Sequence, residues 1–249
     1  MIGKEIRLNR IFNYRSKRTI IVPLDHGFTL GQLSGLLNMC DLVEKLKLGG
    51  ANAVIVHKGM VHTIYKRSER DIGLIVHLSG STLMNPYPDE KVLVSTVKEA
   101  IALGADAVSI HINFGVPQES KMIRDAGIIS RDCNKWGIPL LIMAYPKGKG
   151  VDPLDPKIIG HCTRVAEELG ADIIKTHYPG EKNSFYQIIS SCSVPVLIAG
   201  GEKGNDDELL TMVEEVISIG GAGVCIGRNI FERENPIEFL RRLESIIHK

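Results

Sequence analysis

The sequence predicts an α/β chain folded as a single (β/α)8 TIM barrel spanning residues 1–249, with an extra N-terminal segment ahead of the first strand. Three observations predict it. Eight short apolar runs alternate with amphipathic helical patterns, a Leu-Gly-Ala-Asp-like phrase recurs where helices give way to strands, and the length matches the ~250 residues typical of such a barrel. No Pro-, Gly- or Ser-rich linker divides the chain. A doubly wound open sheet is the alternative, but eight strands in a chain of this length favour closure.

The elements follow in order. Before the first strand stand Lys4, Arg7, Arg10, Arg15, Lys17 and Arg18, with no apolar stretch after them of the kind a secretory signal carries. This segment is expected to close the bottom of the barrel or to meet a neighbouring subunit; a solvated charged arm is the plain alternative. Strands are predicted at 19–24, 53–57, 74–78, 107–111, 140–144, 173–175, 194–199 and 223–226, most of them almost continuously apolar. Such runs belong to parallel sheets covered by helices on their faces. Helical periodicity stands out at 89–103, 156–169 and 206–217. The joints are Leu48-Gly-Gly-Ala-Asn52, Leu103-Gly-Ala-Asp106, Leu169-Gly-Ala-Asp172 and Ile219-Gly-Gly-Ala-Gly223. Each reads as a helix stopped by glycine with a β-branched strand beginning just beyond.

Composition narrows the function. Lys plus Arg number 30 and Asp plus Glu 29, so no net field points to nucleic acid or anionic lipid, and a small-molecule partner is expected. Five scattered cysteines without a C-x-x-C pair argue against disulfides and structural zinc and read as packing residues of a reduced, cytoplasmic protein. No uncharged apolar run approaches the ~18 residues of a membrane span.

In a barrel, chemistry lies at the C-terminal ends of the strands. Six of these ends are polar: Asp25-His26-Gly27, His57-Lys58-Gly59, His77-Leu-Ser-Gly80, His111-Ile-Asn113, Tyr145-Pro146-Lys147-Gly148 and Lys175-Thr-His177. All are expected to face one mouth, although Asp and Asn also serve as helix caps. Lys175 ends an apolar run, and an unpaired ammonium is costly to bury unless it loses its charge. A desolvated amine of lowered pKa attacks carbonyls to form a Schiff base; the plain alternative is an edge-strand lysine reaching solvent. Tyr145 fits a general acid beside an iminium cation, or a rim tyrosine with a wet hydroxyl. Glycines after the last two strands, Gly200, Gly201 and Gly227, with Arg228 beside them, let backbone N–H groups approach a phosphate. The histidines His57, His77, His111 and His177 raise a rival, a metal held at strand ends. With no H-E-x-x-H spacing and with Asp25 as the obvious carboxylate, neither a metal nor an organic cofactor is expected.

With Asp25-His-Gly, Tyr145-Pro-Lys-Gly, Lys175, Ala199-Gly-Gly and Gly227-Arg-Asn-Ile-Phe231 in this order, the chain resembles the archaeal-type class I fructose-bisphosphate aldolase family essentially end to end. Leu24-Asp-His-Gly27, His57-Lys-Gly59 and His77-Leu-Ser-Gly-Ser81 bring it nearest to the transaldolase-like synthases of that group. The resemblance implies a Schiff base on Lys175, proton transfer at the reacting hydroxyl by Tyr145 and acid/base work by Asp25. It also implies a substrate pocket lined by Asp25, Tyr145, Pro146, Lys147 and Lys175, with phosphate held by Gly200, Gly201, Gly227 and Arg228. The donor would be 6-deoxy-5-ketofructose 1-phosphate and the acceptor L-aspartate 4-semialdehyde, in a homo-oligomer, pentameric or decameric. Fructose-bisphosphate cleavage and condensation of dihydroxyacetone phosphate with aspartate semialdehyde are the alternatives within the group. Met143 stands where the fructose-bisphosphate enzymes carry Trp, and Lys147 where the synthases carry Arg. Outside the group, the alternatives are a metal-dependent barrel enzyme and a non-catalytic phosphosugar binder.

Overall fold

The computed structural model describes residues 1–65, 71–201 and 204–249. Eight parallel strands close into a barrel: β1 (Thr19–Pro23), β2 (Ala53–His57), β3 (Gly73–His77), β4 (Ala107–Phe114), β5 (Leu140–Pro146), β6 (Ile173–Thr176), β7 (Val196–Ala199) and β8 (Gly223–Cys225), with β8 pairing back to β1. Chain order equals spatial order around the ring, so β3 and β7 stand on opposite sides. The fold is the predicted (β/α)8 TIM barrel.

Side chains of a strand alternate between faces, and here one face looks into the barrel and the other toward the helices. The inward layer contains Ile21, Ala53, Ile55, Ile75, Ala107, Leu141, Ile173 and Leu197, and above them Met143, Tyr145 and Cys225. Two residues past Ile173 on the same face comes Lys175, with 8% of its surface exposed. Outward residues such as Val54, Val76, Val108, Ile142 and Ile174 are buried against the helices. That helical layer includes Glu119–Trp136, the longest helix, whose buried residues Met122, Ala126, Ile129 and Cys133 recur every three or four positions.

The N-terminal segment closes the bottom. Residues Ile2–Leu8 are helical, Ile11 plugs the inner core, and the cations find fixed partners: Lys4 pairs with Asp172 at 2.7 Å and Arg10 with Asp106 at 3.2 Å. These aspartates are those of the repeated joint. Asp172 also accepts the Leu140 N–H, Asp106 that of Leu74, and Asn52 that of Ile20, each at 2.7–2.9 Å. The motif therefore ties the start of one strand to the start of its neighbour. Its fourth copy has Gly223 at this position because a Cβ there would lie 2.0 Å from the Thr19 carbonyl oxygen.

One predicted helix is corrected. Of 89–103 only Val97–Ala102 is helical, because Thr96 and Glu99 form a reciprocal capping box that fixes the N-terminus there. Upstream, Val92–Leu93 pairs antiparallel with Ser79–Gly80 to make a short ribbon after β3. Strand β7 begins at Val196 rather than 194, and β4 and β5 run past their expected ends to Phe114 and Pro146.

Candidate active site

At the C-terminal end of the strands lies a cavity of about 350 Å³. Asp25, His57, His77, His111, Tyr145, Lys147, Lys175, His177, Gly200, Gly201, Gly227 and Arg228 all line it, so the structure gathers nearly every predicted site residue. Pro146 is the exception. It ends β5 paired with Phe114, on the face turned from the cavity. Lys58 departs from the predicted mouth as well: one position beyond inward-facing His57, it turns outward to Glu99 at 2.9 Å. Asn113 and Thr176 are spent on structure, donating to the carbonyls of Asp89 (2.7 Å) and Ala144 (3.1 Å).

Asp25 sits between two imidazoles, His26 Nδ1 at 3.6 Å and His77 Nε2 at 3.8 Å. Burial pushes its carboxyl up, but His77, His26, Lys175 and His57 together outweigh burial and hold it down at about 2. His77 is anchored by Ser109 Oγ at 2.8 Å from Nδ1, and Ser79 Oγ stands 3.4 Å from Nε2. Burial lowers His77 and His177 to about 4 and His111 well below the usual imidazole range. All three are neutral near pH 7, so the His77–Asp25 contact is a polar contact rather than an ion pair.

Tyr145 is wedged between the rings of His111 (centroids 5.0 Å apart) and His177 (4.5 Å). Burial raises its pKa and Lys175 opposes the rise, which leaves a neutral phenol next to an amine. The Lys175 Nζ lies 5.9 Å from the centre of that ring. Here the expected depressed amine is not found. Burial lowers the Lys175 pKa, but Cys225, Tyr145 and Asp25 raise it by more, and the net direction is up. At neutral pH the Cys225 thiol, pushed up to about 11, and the Tyr145 phenol are both protonated, and Asp25 is the anion that holds the ammonium. The resting site thus holds a charged lysine in the field of the Asp25 carboxylate.

The glycines after β7 and β8 are held as a unit. Asn229 donates from Nδ2 to the Gly200 carbonyl at 2.9 Å and accepts the Gly204 N–H at 3.2 Å, while Arg228 donates to the Gly201 carbonyl at 3.3 Å. Gly227 has no room for a side chain: a Cβ would lie 2.6 Å from His26 Cε1 and 2.8 Å from the Pro23 carbonyl oxygen. Lys147 stands apart from these loops. It follows β5, three strands from β8, and acts electrostatically on His177 and Lys91.

Among the lining residues that sequence reasoning missed are two charged ones, Asp89 and Lys91, both carried by the ribbon after β3. They fall in the stretch read as helix, and the signal against it was the Thr96-x-x-Glu99 box, which starts the helix downstream. Among the described residues no three His, Cys, Asp or Glu side chains converge as metal ligands, and no helix is long and apolar enough to cross a membrane.

A family model described as DeoC/LacD family aldolase matches residues 19–233. The chain is 42% identical to 2-amino-3,7-dideoxy-D-threo-hept-6-ulosonate synthase 1 of Archaeoglobus fulgidus, over 100% of this chain and 92% of that protein. It is 38% identical to 2-amino-4,5-dihydroxy-6-oxo-7-(phosphonooxy)heptanoate synthase of Streptomyces griseus, over 99% and 90% respectively. Among solved structures, an archaeal fructose-1,6-bisphosphate aldolase with its catalytic Lys covalently bound to the carbinolamine intermediate of the substrate matches with a TM-score of 0.89 and 30% identity, over 99% of this chain and 100% of that one. With an inward lysine over a closed barrel and a family match that spans all eight strands, the chain belongs to the DeoC/LacD aldolase family.

Proposed function

We propose that this aldolase works through a Schiff base on Lys175 and transfers a three-carbon unit from a phosphorylated keto sugar to an amino-acid aldehyde, as a 2-amino-3,7-dideoxy-D-threo-hept-6-ulosonate synthase. The observation that carries the reading is Lys175 itself, buried on the inward face with Tyr145 and Asp25 as its electrostatic partners. A fixed amine splits one difficult carbon–carbon exchange into easier covalent steps.

The Lys175 ammonium sheds its proton to solvent as the ketone binds, and the free amine attacks the ketone carbon. A proton from solvent returns to the departing hydroxyl of the carbinolamine, and the Asp25 carboxylate stabilises the positive charge that builds as water leaves and the cationic iminium forms. Tyr145 handles the proton on the hydroxyl that becomes the released aldehyde, and the iminium beside it stabilises the phenolate form. The remaining enamine adds to the acceptor aldehyde, Tyr145 protonates the new hydroxyl, and hydrolysis of the iminium releases product and restores the amine. Backbone N–H groups around Gly200, Gly201 and Gly227, with Arg228, hold the donor's phosphate.

The donor in this reading is 6-deoxy-5-ketofructose 1-phosphate and the acceptor L-aspartate 4-semialdehyde, and the working form is a cytoplasmic homo-oligomer. Two relatives whose names specify a 2-amino acid product support the acceptor. Incubation of purified protein with the donor and either L-aspartate 4-semialdehyde or glyceraldehyde 3-phosphate tests it by product mass. Turnover with the semialdehyde is expected; turnover with the triose phosphate alone would transfer the chain to the fructose-bisphosphate reaction.

A further inference from the structure

Two histidines of the cavity take no step in the reaction, yet both lie against the ring of Tyr145. We propose that His111 and His177 are positioning residues for proton transfer, their rings clamping the Tyr145 phenol so that its hydroxyl meets the reacting oxygen of the substrate bonded to Lys175. This role rests on the Schiff-base reading and goes beyond it by naming what aims the acid/base group.

Strand register puts one imidazole on each side. Tyr145 stands opposite Asn113 on β4 and Met143 opposite His111, so His111 shares the inward face of β4 one layer below the phenol. On the other side Met143 stands opposite Lys175, and His177, two residues further on, comes level with Tyr145. The contacts agree. His111 meets the tyrosine ring with 68° between the planes and centroids 5.0 Å apart, and His177 lies tilted at 40° and 4.5 Å. The phenol is thereby held from β4 and from the end of β6 at once, with Lys175 Nζ 5.9 Å from its ring centre.

A hydroxyl that gives and takes a proton cannot also be tied to a structural acceptor, so its place has to be set through the ring. Close packing on both sides leaves that ring no room to swing. Hydrogen bonding does not account for His111, because its Nε2 is buried and, among the described residues, has no partner. A core side chain ordinarily avoids such an unpaired atom; what this ring does make is its contact with Tyr145. Both rings must also act without charge. An imidazolium against the phenol would favour phenolate before the imine forms, and Tyr145 would then have no proton for the new hydroxyl. Burial, helped by Lys147 and Lys175 around His177 and by Lys91 and Lys175 around His111, keeps each neutral near pH 7.

Leucine in place of either histidine keeps apolar bulk but loses the flat ring, whereas phenylalanine keeps the ring and loses the nitrogens. In assays with the ketose phosphate and L-aspartate 4-semialdehyde, His111→Leu and His177→Leu should lower kcat roughly 10- to 100-fold with little change in KM for the ketose phosphate. His111→Phe and His177→Phe should stay within about threefold of the wild type. Borohydride trapping of donor on Lys175 runs in parallel. It precedes the step that uses Tyr145, so it should succeed in every variant and in Tyr145→Phe, which also reports that the barrel is folded. Unchanged kcat in both leucine variants, with donor still trapped, overturns the clamp alone. So does a phenylalanine variant as slow as its leucine counterpart, since a ring nitrogen rather than ring packing would then be needed. Loss of trapping in the leucine variants overturns it as well, because the histidines would then serve imine formation or the fold. Absence of trapping in the wild type overturns the Schiff-base reading and the clamp with it.

Discussion

His77 should make the barrel's stability depend on pH in a way that one substitution removes. Its ring is 4% exposed, held by Ser109, and lowered by burial to about 4 from an ordinary value of 6.5. A histidine lowered in the folded state binds its proton more weakly there than in the unfolded chain. Full stability is present above the unfolded value and is lost as pH falls from about 6.5 toward about 4. With a proton worth 1.36 kcal/mol per pKa unit, the full difference is about 3 kcal/mol, of which about 2 kcal/mol is lost between about pH 7 and about pH 4.5. His77→Gln keeps a polar group able to reach Ser109 but does not titrate. Urea unfolding at several pH values across that window should show the wild type losing about 2 kcal/mol more than the variant on acidification. Parallel losses in the two proteins would refute the account of His77 as a buried neutral imidazole.

Further predictions address the phosphate loops and the floor. Gly227→Ala forces a methyl against the Pro23 carbonyl and His26, and should destabilise the protein by about 1–3 kcal/mol in urea unfolding while raising KM for the ketose phosphate. Asp172→Ala leaves the Leu140 N–H and Lys4 without their acceptor and should cost about 1–3 kcal/mol of stability with borohydride trapping unimpaired, since the floor lies at the other end of the strands.

Most of the scaffold was legible because barrel strands are apolar on both faces and their ends are punctuated by glycine. The inward residues of the site follow from the same alternation: Ile173 and Lys175, or Met143 and Tyr145, are two apart and share a face. Lys58 was misassigned through neglect of that parity, since it lies one residue past His57 and must turn outward. The ribbon was not legible. Two-residue strands have no periodicity, and the residues before Thr96 imitate a helix until its capping box is recognised. The charge of Lys175 could not be read either, because burial alone lowers an amine and the opposing partners, Asp25, Tyr145 and Cys225, come from three other strands or their ends.

Trapping the imine tests the central claim most directly. Purified protein incubated with the ketose phosphate and reduced with borohydride, then digested, should yield the peptide containing Lys175 with the mass of the reduced donor added. Lys175→Met should yield none. An unlabelled Lys175 peptide from protein that is turning over substrate, or label on another lysine, would contradict the account.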